Sequence, residues 1–404
     1  WGELGNQNTS NLYPFYEILP VKSNSGNWLV NGGKTNTADI PSLVSTLLTW
    51  ERVRSFNVGF DFGAFSNRLT GSFDYFVRKT VDMVGPAPQL PLVLGIAPAI
   101  VNNADMKSYG FEIELSWRDR IGEVDYGVKF NLADAQQKVV KYPNTTNAFS
   151  DWYAGKMSGE IWGYTSLGIA KTDEEMKEHL ASLPNGGQNQ LGNKWGAGDI
   201  MYADINGDGK VDGGKGTLAD PGDQRIIGNS TPRYNFGLVL DASYKGFDVS
   251  IFFQGVGKRD YAPIVGTNGA VFWGAVNNIW QSMAMEEHFD YFRPEGHPMG
   301  ANLNGYYPRP DFTSNKNHQV QTRYLQDASY IRLKNLQIGY TLPKQWINKL
   351  HINRCRVYVS GDNLWTGTSL ASMFDPETLA AGDWGSGKTY PLSKVISFGL
   401  NVNF

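Results

Sequence analysis

Residues 199–256 read DIMYADINGDGKVDGGKGTLADPGDQRIIGNSTPRYNFGLVLDASYKGFDVSIFFQGV, and the second half of that stretch decides the fold. From Tyr234 to Tyr244 the even positions are Tyr234, Phe236, Leu238, Leu240, Ala242 and Tyr244, whereas the odd ones include Asn235, Gly237, Asp241 and Ser243. After Lys245-Gly246, the residues Phe247, Val249, Ile251 and Phe253 alternate with Asp248, Ser250 and Gln254. A period of two belongs to a β-strand with one face turned away from water. The stretch is therefore a hairpin with an aromatic, apolar face and a mainly polar one.

The same pattern extends in both directions. Phe56, Val58, Phe60 and Phe62 lead through a Ser66-Asn67 turn to Leu69, Gly71, Phe73, Tyr75 and Val77. Phe111, Ile113, Leu115 and Trp117 lead to Tyr126, Val128, Phe130 and Leu132. Strands are also predicted over 330–340, 356–361 and 394–404, and the opening residues Trp1 to Gly5 read as the end of a strand. A capping-box pattern, Thr172-Asp173-Glu174-Glu175, predicts one short helix. Another is expected around Trp280 to His288.

Composition agrees with strands and turns. The 404 residues include 46 Gly, 20 Tyr, 21 Phe and 12 Trp. A net charge of -3 supplies no basic field, which argues against nucleic acid as a partner. The one cysteine, Cys355, cannot form an intrachain disulfide and reads as a small strand residue. No apolar run approaches the ~20 residues of a membrane helix. A transmembrane barrel lacks such runs too, because only alternate residues meet lipid.

Connection lengths separate the remaining classes. Short links at 64–67, 120–124, 245–246 and 342–353 alternate with long ones at 85–106, 141–223, 258–321 and 363–393. Outer-membrane barrels have short periplasmic turns and long extracellular loops, while a soluble sandwich has no need of the alternation. The fold class read here is all-β: an antiparallel transmembrane β-barrel crossing outer-membrane lipid, with short helices in long extracellular loops. Roughly nine or ten strands are legible, fewer than a closed barrel of this kind requires. The chain is read as the carboxy-terminal part of one barrel domain, residues 1–404, with the first strands outside it.

Chemistry-bearing motifs are few. Asp204, Asn206, Asp208, Lys210 and Asp212 follow a calcium loop, with Gly209 at its sharp turn. Position 12 is Lys215, which cannot close the site, so Asp220 or Asp223 is the expected replacement. Calcium and a plain acidic turn both stay open, and either would stiffen the loop. Residues 382–389, GDWGSGKT, match a phosphate-loop expression. Pro391 and a terminal strand follow where that motif needs a helix amino terminus, so the match is read as chance. His179, in the helix predicted after Thr172, is read as a solvated histidine, and Asp375 and Glu377 as solvated loop acids that nothing in the sequence pairs across the cleft a glycosidase needs. Five scattered histidines and no nucleophile motif leave enzyme chemistry without a constellation. Trp273, Trp280, Tyr306, Tyr307 and Trp365 suit loop cores, interfacial girdles or sugar stacking.

In order along the chain, these stretches resemble the SusC/RagA family of TonB-dependent outer-membrane transporters of Bacteroidetes. The resemblance is carried by Gly5-Asn6-Gln7; Trp50-Glu51 before Asn57-Val58-Gly59-Phe60-Asp61; Asn67-Arg68-Leu69 before Asp74-Tyr75; and Asn103-Ala104-Asp105-Met106 before Gly110-Phe111-Glu112. Further on it rests on Gly163-Tyr164 with Gly168-Ile169, the Asp204 to Ile227 block, Gly228 to Tyr234, Tyr307-Pro308-Arg309, Ala328 to Asn335, and Phe374-Asp375-Pro376-Glu377. The resemblance implies a 22-stranded barrel with a plug and a TonB box, and a SusD-like surface lipoprotein as lid. The implied activity is import of glycans, or sometimes peptides, energised through TonB. Two other functions are carried beside it: an adhesion protein whose barrel anchors calcium-stiffened loops, and a surface glycan hydrolase.

Overall fold

A computed structural model describes residues 1–6, 16–41, 43–45, 47–85, 93, 96, 98–263, 270–274, 285–311, 315–379 and 389–404. Ten strands form one antiparallel sheet in chain order. They are β1 Gly2–Asn6, β2 Glu51–Ala64, β3 Leu69–Gly85, β4 Val101–Ile121, β5 Val124–Lys141, β6 Arg233–Tyr244, β7 Phe247–Lys258, β8 Tyr330–Thr341, β9 Arg354–Thr368 and β10 Val395–Asn403. Sequential neighbours pair throughout, as hairpin links require. The 21 residues of β4 extend ~70 Å at ~3.3 Å each, about twice the ~10 residues that cross a bilayer.

Turn chemistry sets the register. Lys245 and Gly246 both have positive φ, 46° and 89°, the type I′ geometry whose twist matches flanking strands. Tyr244 therefore faces Phe247, and Leu238 faces Phe253. Tyr234 departs from the expected alternation. Its φ is 56° and Arg233 and Asn235 pair around it, so it is a bulge residue and the regular apolar face begins at Phe236.

Two strands exceed their expected lengths. Strand β4 begins at Val101 inside the anticipated 85–106 connection. There the Asn102 amide donates to the carbonyls of Thr49 and Asp82 at 2.9 and 2.6 Å. Strand β9 continues to Thr368 because a bulge interrupts its alternation: Leu333 pairs with Trp365 but Asn335 with Asp362, and Asn363 has φ 54°. A period-two reading stops at such a break even though pairing resumes beyond it.

The helix expected after Thr172 spans Asp173–Ala181 and is called α1. The Thr172 hydroxyl accepts the Glu175 N–H at 3.1 Å. The Glu175 carboxylate takes the N–H of Lys171 at 2.6 Å, one residue before the position a full capping box would use. Around 280–288 only a 3₁₀ turn, Glu286–Phe289, falls among the described residues. The phosphate-loop match lies almost wholly in 380–388, outside them.

Contacts divide the chain into two compact units, Trp1–Val58 with Tyr75–Tyr109 and Gln137–Met157, and Gly59–Asp74 with Gly110–Gln136 and Ser158–Phe404. In the first, the buried Glu51 carboxylate receives the Asn6 amide at 2.8 Å and the Val84 N–H at 3.1 Å. Arg52 pairs with Asp82 at 2.5 Å. In the second, the buried hydrophobic cluster lies in the loops: Tyr164, Ile200, Tyr202, Phe272, Trp273, Tyr307 and Tyr324 belong to it. The apolar face of the sheet is uncovered, with Phe398 86 % and Ile396 68 % exposed. Water tolerates only limited continuous apolar surface, whereas lipid requires it.

Candidate functional site

The polar side of the sheet carries cross-strand ion pairs. Asp248 on β7 and Arg356 on β9 form a salt bridge, and Arg356 also donates to Gln337 on β8 at 2.9 Å. The Asn335 amide donates to Asp362 at 2.7 Å. Beyond Leu132, and in its register, Asp134 is clasped by Arg233 through Nε and Nη2. On the polar side a cavity of about 550 Å³ is lined by residues including Asp61, Ser72, Glu114, Lys129 and Asn131. Asp61, Glu114 and Lys129 form no ion pair among the described residues. Short strand turns and hydroxyl-rich alternate positions can line an aqueous path, and fixed charges there act on a passing solute at close range.

Three long connections fold together over this second unit. Asp199 is the hub: its carboxylate accepts from Arg309 Nε at 2.8 Å, Lys316 Nζ at 2.9 Å, Asn317 Nδ2 at 2.9 Å and the Gly196 N–H at 2.9 Å. All of its acceptor capacity faces protein, as a buried carboxylate needs. Around it pack aromatic rings, with Trp273 and Tyr324 centroids 4.7 Å apart at 75°. Burial pushes the Tyr307 and Tyr324 hydroxyls well above the usual phenol range. Trp273 and Tyr307 are thus core residues rather than ligand platforms. Tyr306 is half-buried, Trp365 is 52 % exposed, and Trp280 lies outside the described residues.

Arg332 fastens a further loop segment to β8. It meets Asp375 at 2.7 Å and Glu377 at 2.8 Å, and Lys334 reaches Glu377 at 2.8 Å. Asp375 and Glu377, read above as loop acids, are engaged with these cations. Burial raises the Asp375 carboxyl, but the Arg332 guanidinium and the N–H groups of Leu392 and Glu377 outweigh it and hold it below its usual range. His179 is half-buried on α1 against Gln188, 3.2 Å away. That burial lowers its pKa, partly offset by the Gln188 hydrogen bond.

In the acidic loop Asp204 accepts the N–H groups of Gly207 and Gly209 at 2.6 and 2.8 Å. Asn206 accepts the Asp208 N–H at 2.9 Å, and Asp208 that of Lys210 at 3.2 Å. Asp223 enters the loop from beyond the insertion, accepting from Ile205 at 2.7 Å and Asp212 at 2.8 Å. Asp220 instead braces its own turn, where its carbonyl accepts the Lys215 N–H at 3.1 Å. Lys210 neutralises Asp212 at 2.5 Å and, with the Gly214 N–H, outweighs the opposing effect of burial and leaves that carboxyl below its usual range. Among the described residues no three His, Cys, Asp or Glu side chains converge as a metal site. Alternating acids signalled the loop in sequence. The Asp199 hub gave no such signal, because Arg309 and Lys316 lie more than a hundred residues away.

Residues 4–364 match a family model described as TonB dependent receptor-like, beta-barrel. TonB-dependent receptor P3 of Formosa agariphila is 28 % identical, over 100 % of this chain and 39 % of its own length. TonB-dependent receptor SusC of Bacteroides thetaiotaomicron is 20 % identical, over 100 % of this chain and 37 % of its own length. The RagAB peptide transporter structure superposes with a TM-score of 0.71 at 23 % identity, covering 100 % of this chain and 40 % of that one. The chain spans about two-fifths of the length of these proteins.

Proposed function

The chain belongs to the TonB dependent receptor-like β-barrel family, and from that premise we propose that it forms the carboxy-terminal barrel part of a SusC/RagA-type importer in a Gram-negative outer membrane. The observation that carries this reading is the inverted burial: phenylalanines of the sheet face outward uncovered while the loops hold the buried core. Such an arrangement suits lipid outside and a structured vestibule above. In this account the polar strand face, with its ion pairs, lines the lumen around a plug supplied by the rest of the protein. The loops around Asp199 meet a SusD-like lipoprotein, and TonB energises passage.

The curated relatives are TonB-dependent receptors and not enzymes, which sets aside the surface hydrolase. The nutrient is an oligomer, glycan or peptide. Loss of Trp273 and Tyr307 to the loop core removes two rings a sugar would stack on, and a neighbour of like fold is described as a peptide transporter. Both facts support peptide over glycan. The acidic loop is proposed to take calcium weakly through Asp204, Asn206, Asp208 and Asp223, with Lys210 competing for the Asp212 charge. Co-purification of the full-length protein with a surface lipoprotein, followed by binding screens of oligopeptides and oligosaccharides, tests the assignment. A full-length protein that stays soluble as a detergent-free monomer would sink it.

A further inference from the structure

We propose that a second cavity, in the loop body of the second unit, binds the carboxylate end of a short peptide whose last side chain is apolar. It deepens the importer reading and rests on it. The cavity has a volume of about 320 Å³. Its apolar side is built from Leu167 and Ile169 on one strand of a small ribbon, Met201 on the paired strand, and Leu303 from the following connection. Lys171, Glu175, Asn304 and Arg323 complete the lining.

Two cations there, Lys171 and Arg323, are held in no salt bridge among the described residues. The Arg323 guanidinium donates through Nε and Nη2 to the carbonyls of Tyr306 and Gly305 at 3.1 to 3.3 Å. It also lies 6.0 and 5.7 Å from the ring centres of Tyr306 and Tyr324. These contacts orient its planar fork without neutralising it. Lys171 spends only its backbone N–H, on Glu175. Among the described residues neither cation forms an ion pair. A carboxylate accepting from both would form charge-assisted hydrogen bonds, stronger than neutral ones.

The rest of the lining narrows the ligand. Leu167 is 60 % exposed, so an apolar side chain settling on it would cover surface now in water. Among the described residues no aromatic ring lines the cavity, which leaves a sugar ring without a stacking platform there. Glu175 places a negative charge beside the two cations, which disfavours a second carboxylate and hence an acidic last residue. The volume lies near the lower limit of ligand clefts and admits one or two residues rather than a long segment.

The test uses the full-length protein purified with its lipoprotein. The probes are the peptide Gly-Ala-Leu-Leu carrying a fluorophore on its amino end, the same peptide as its C-terminal amide, and an oligoglucuronate. The free acid is expected to bind about tenfold more tightly than the amide. Lys171→Gln is expected to erase that difference, and Leu167→Asp to weaken both peptides. Met201→Trp fills the cavity and is expected to abolish binding if Lys171→Gln is compensated by Arg323. Equal affinity for acid and amide overturns the proposal, as does an oligoglucuronate bound as tightly as the peptide in a Lys171-dependent way. Energised uptake measured beside binding separates the two readings. Uptake that persists while acid and amide bind alike removes this site and leaves the importer, whereas Lys171-dependent binding without energised uptake keeps the site and removes the importer.

Discussion

The Asp199 carboxylate and the Lys316 ammonium lie 2.9 Å apart, 0 % and 1 % exposed, although 117 positions separate them in the chain. One side comes from the connection after β5 and the other from the connection after β7, so this pair helps make one body of two loops. Asp199→Asn leaves Lys316 buried beside a neutral amide. The expected cost is roughly 3 to 5 kcal/mol, read as faster hydrogen exchange throughout the loop body with the sheet amides unchanged. Asp199→Leu combined with Lys316→Leu removes both charges and is expected to recover part of the loss. A uniform change in exchange over sheet and loops would contradict the hub.

Strand β10 tests the two faces directly. Phe398 pairs with Val359 and Ser397 with Ser360, so adjacent residues point to opposite sides. Phe398→Arg is expected to cost roughly 2–4 kcal/mol if it sits near the bilayer midplane, while Ser397→Arg is nearly neutral. Unfolding of the full-length barrel in lipid vesicles reads the difference, and equal penalties would refute the assignment of faces.

The Arg332–Asp375 pair predicts an acid-labile loop. The folded Asp375 carboxyl is held below its usual value near 3.8, so the unfolded segment takes up protons more readily. Its stabilisation is complete above that value and is lost as pH falls through the lower, folded value. Proteolysis within residues 374–379 is expected to rise steeply below about pH 4. Asp375→Asn should show the exposed behaviour at every pH, and a flat profile in the unaltered protein would contradict the prediction.

Calcium gives a fourth expectation. Lys210 sits on Asp212 at 2.5 Å, so an entering cation must compete with an ammonium already in place. Calorimetric titration should read a weak Kd of about 10⁻⁴ to 10⁻³ M, the range of extracellular modules. Lys210→Ala should tighten it and Asp223→Asn abolish it. Absence of heat in both the unaltered protein and Lys210→Ala would remove the calcium proposal.

Strands were legible in the sequence because lipid-facing and polar residues alternate at fixed spacing, as in Phe247 to Gln254. That signal failed where geometry left the period, at the Tyr234 and Asn363 bulges, and at the start of β4, where Asn102 and Asn103 hide the strand inside a predicted connection. Helix α1 was legible through Thr172 because capping is local. The loop body was not, since Asp199, Arg309 and Lys316 are each ordinary loop residues until distant segments meet. The same distance hid the cavity shared by Lys171, Met201 and Arg323.

Energised uptake tests the central claim most directly. Cells carrying the full-length gene would be given fluorescent oligopeptides and, separately, labelled oligosaccharides, with accumulation measured with and without collapse of the proton-motive force. The account predicts accumulation of the peptides that disappears on deletion of the gene, on deletion of TonB, and on collapse of the gradient. Accumulation of both nutrients unchanged by all three would contradict it.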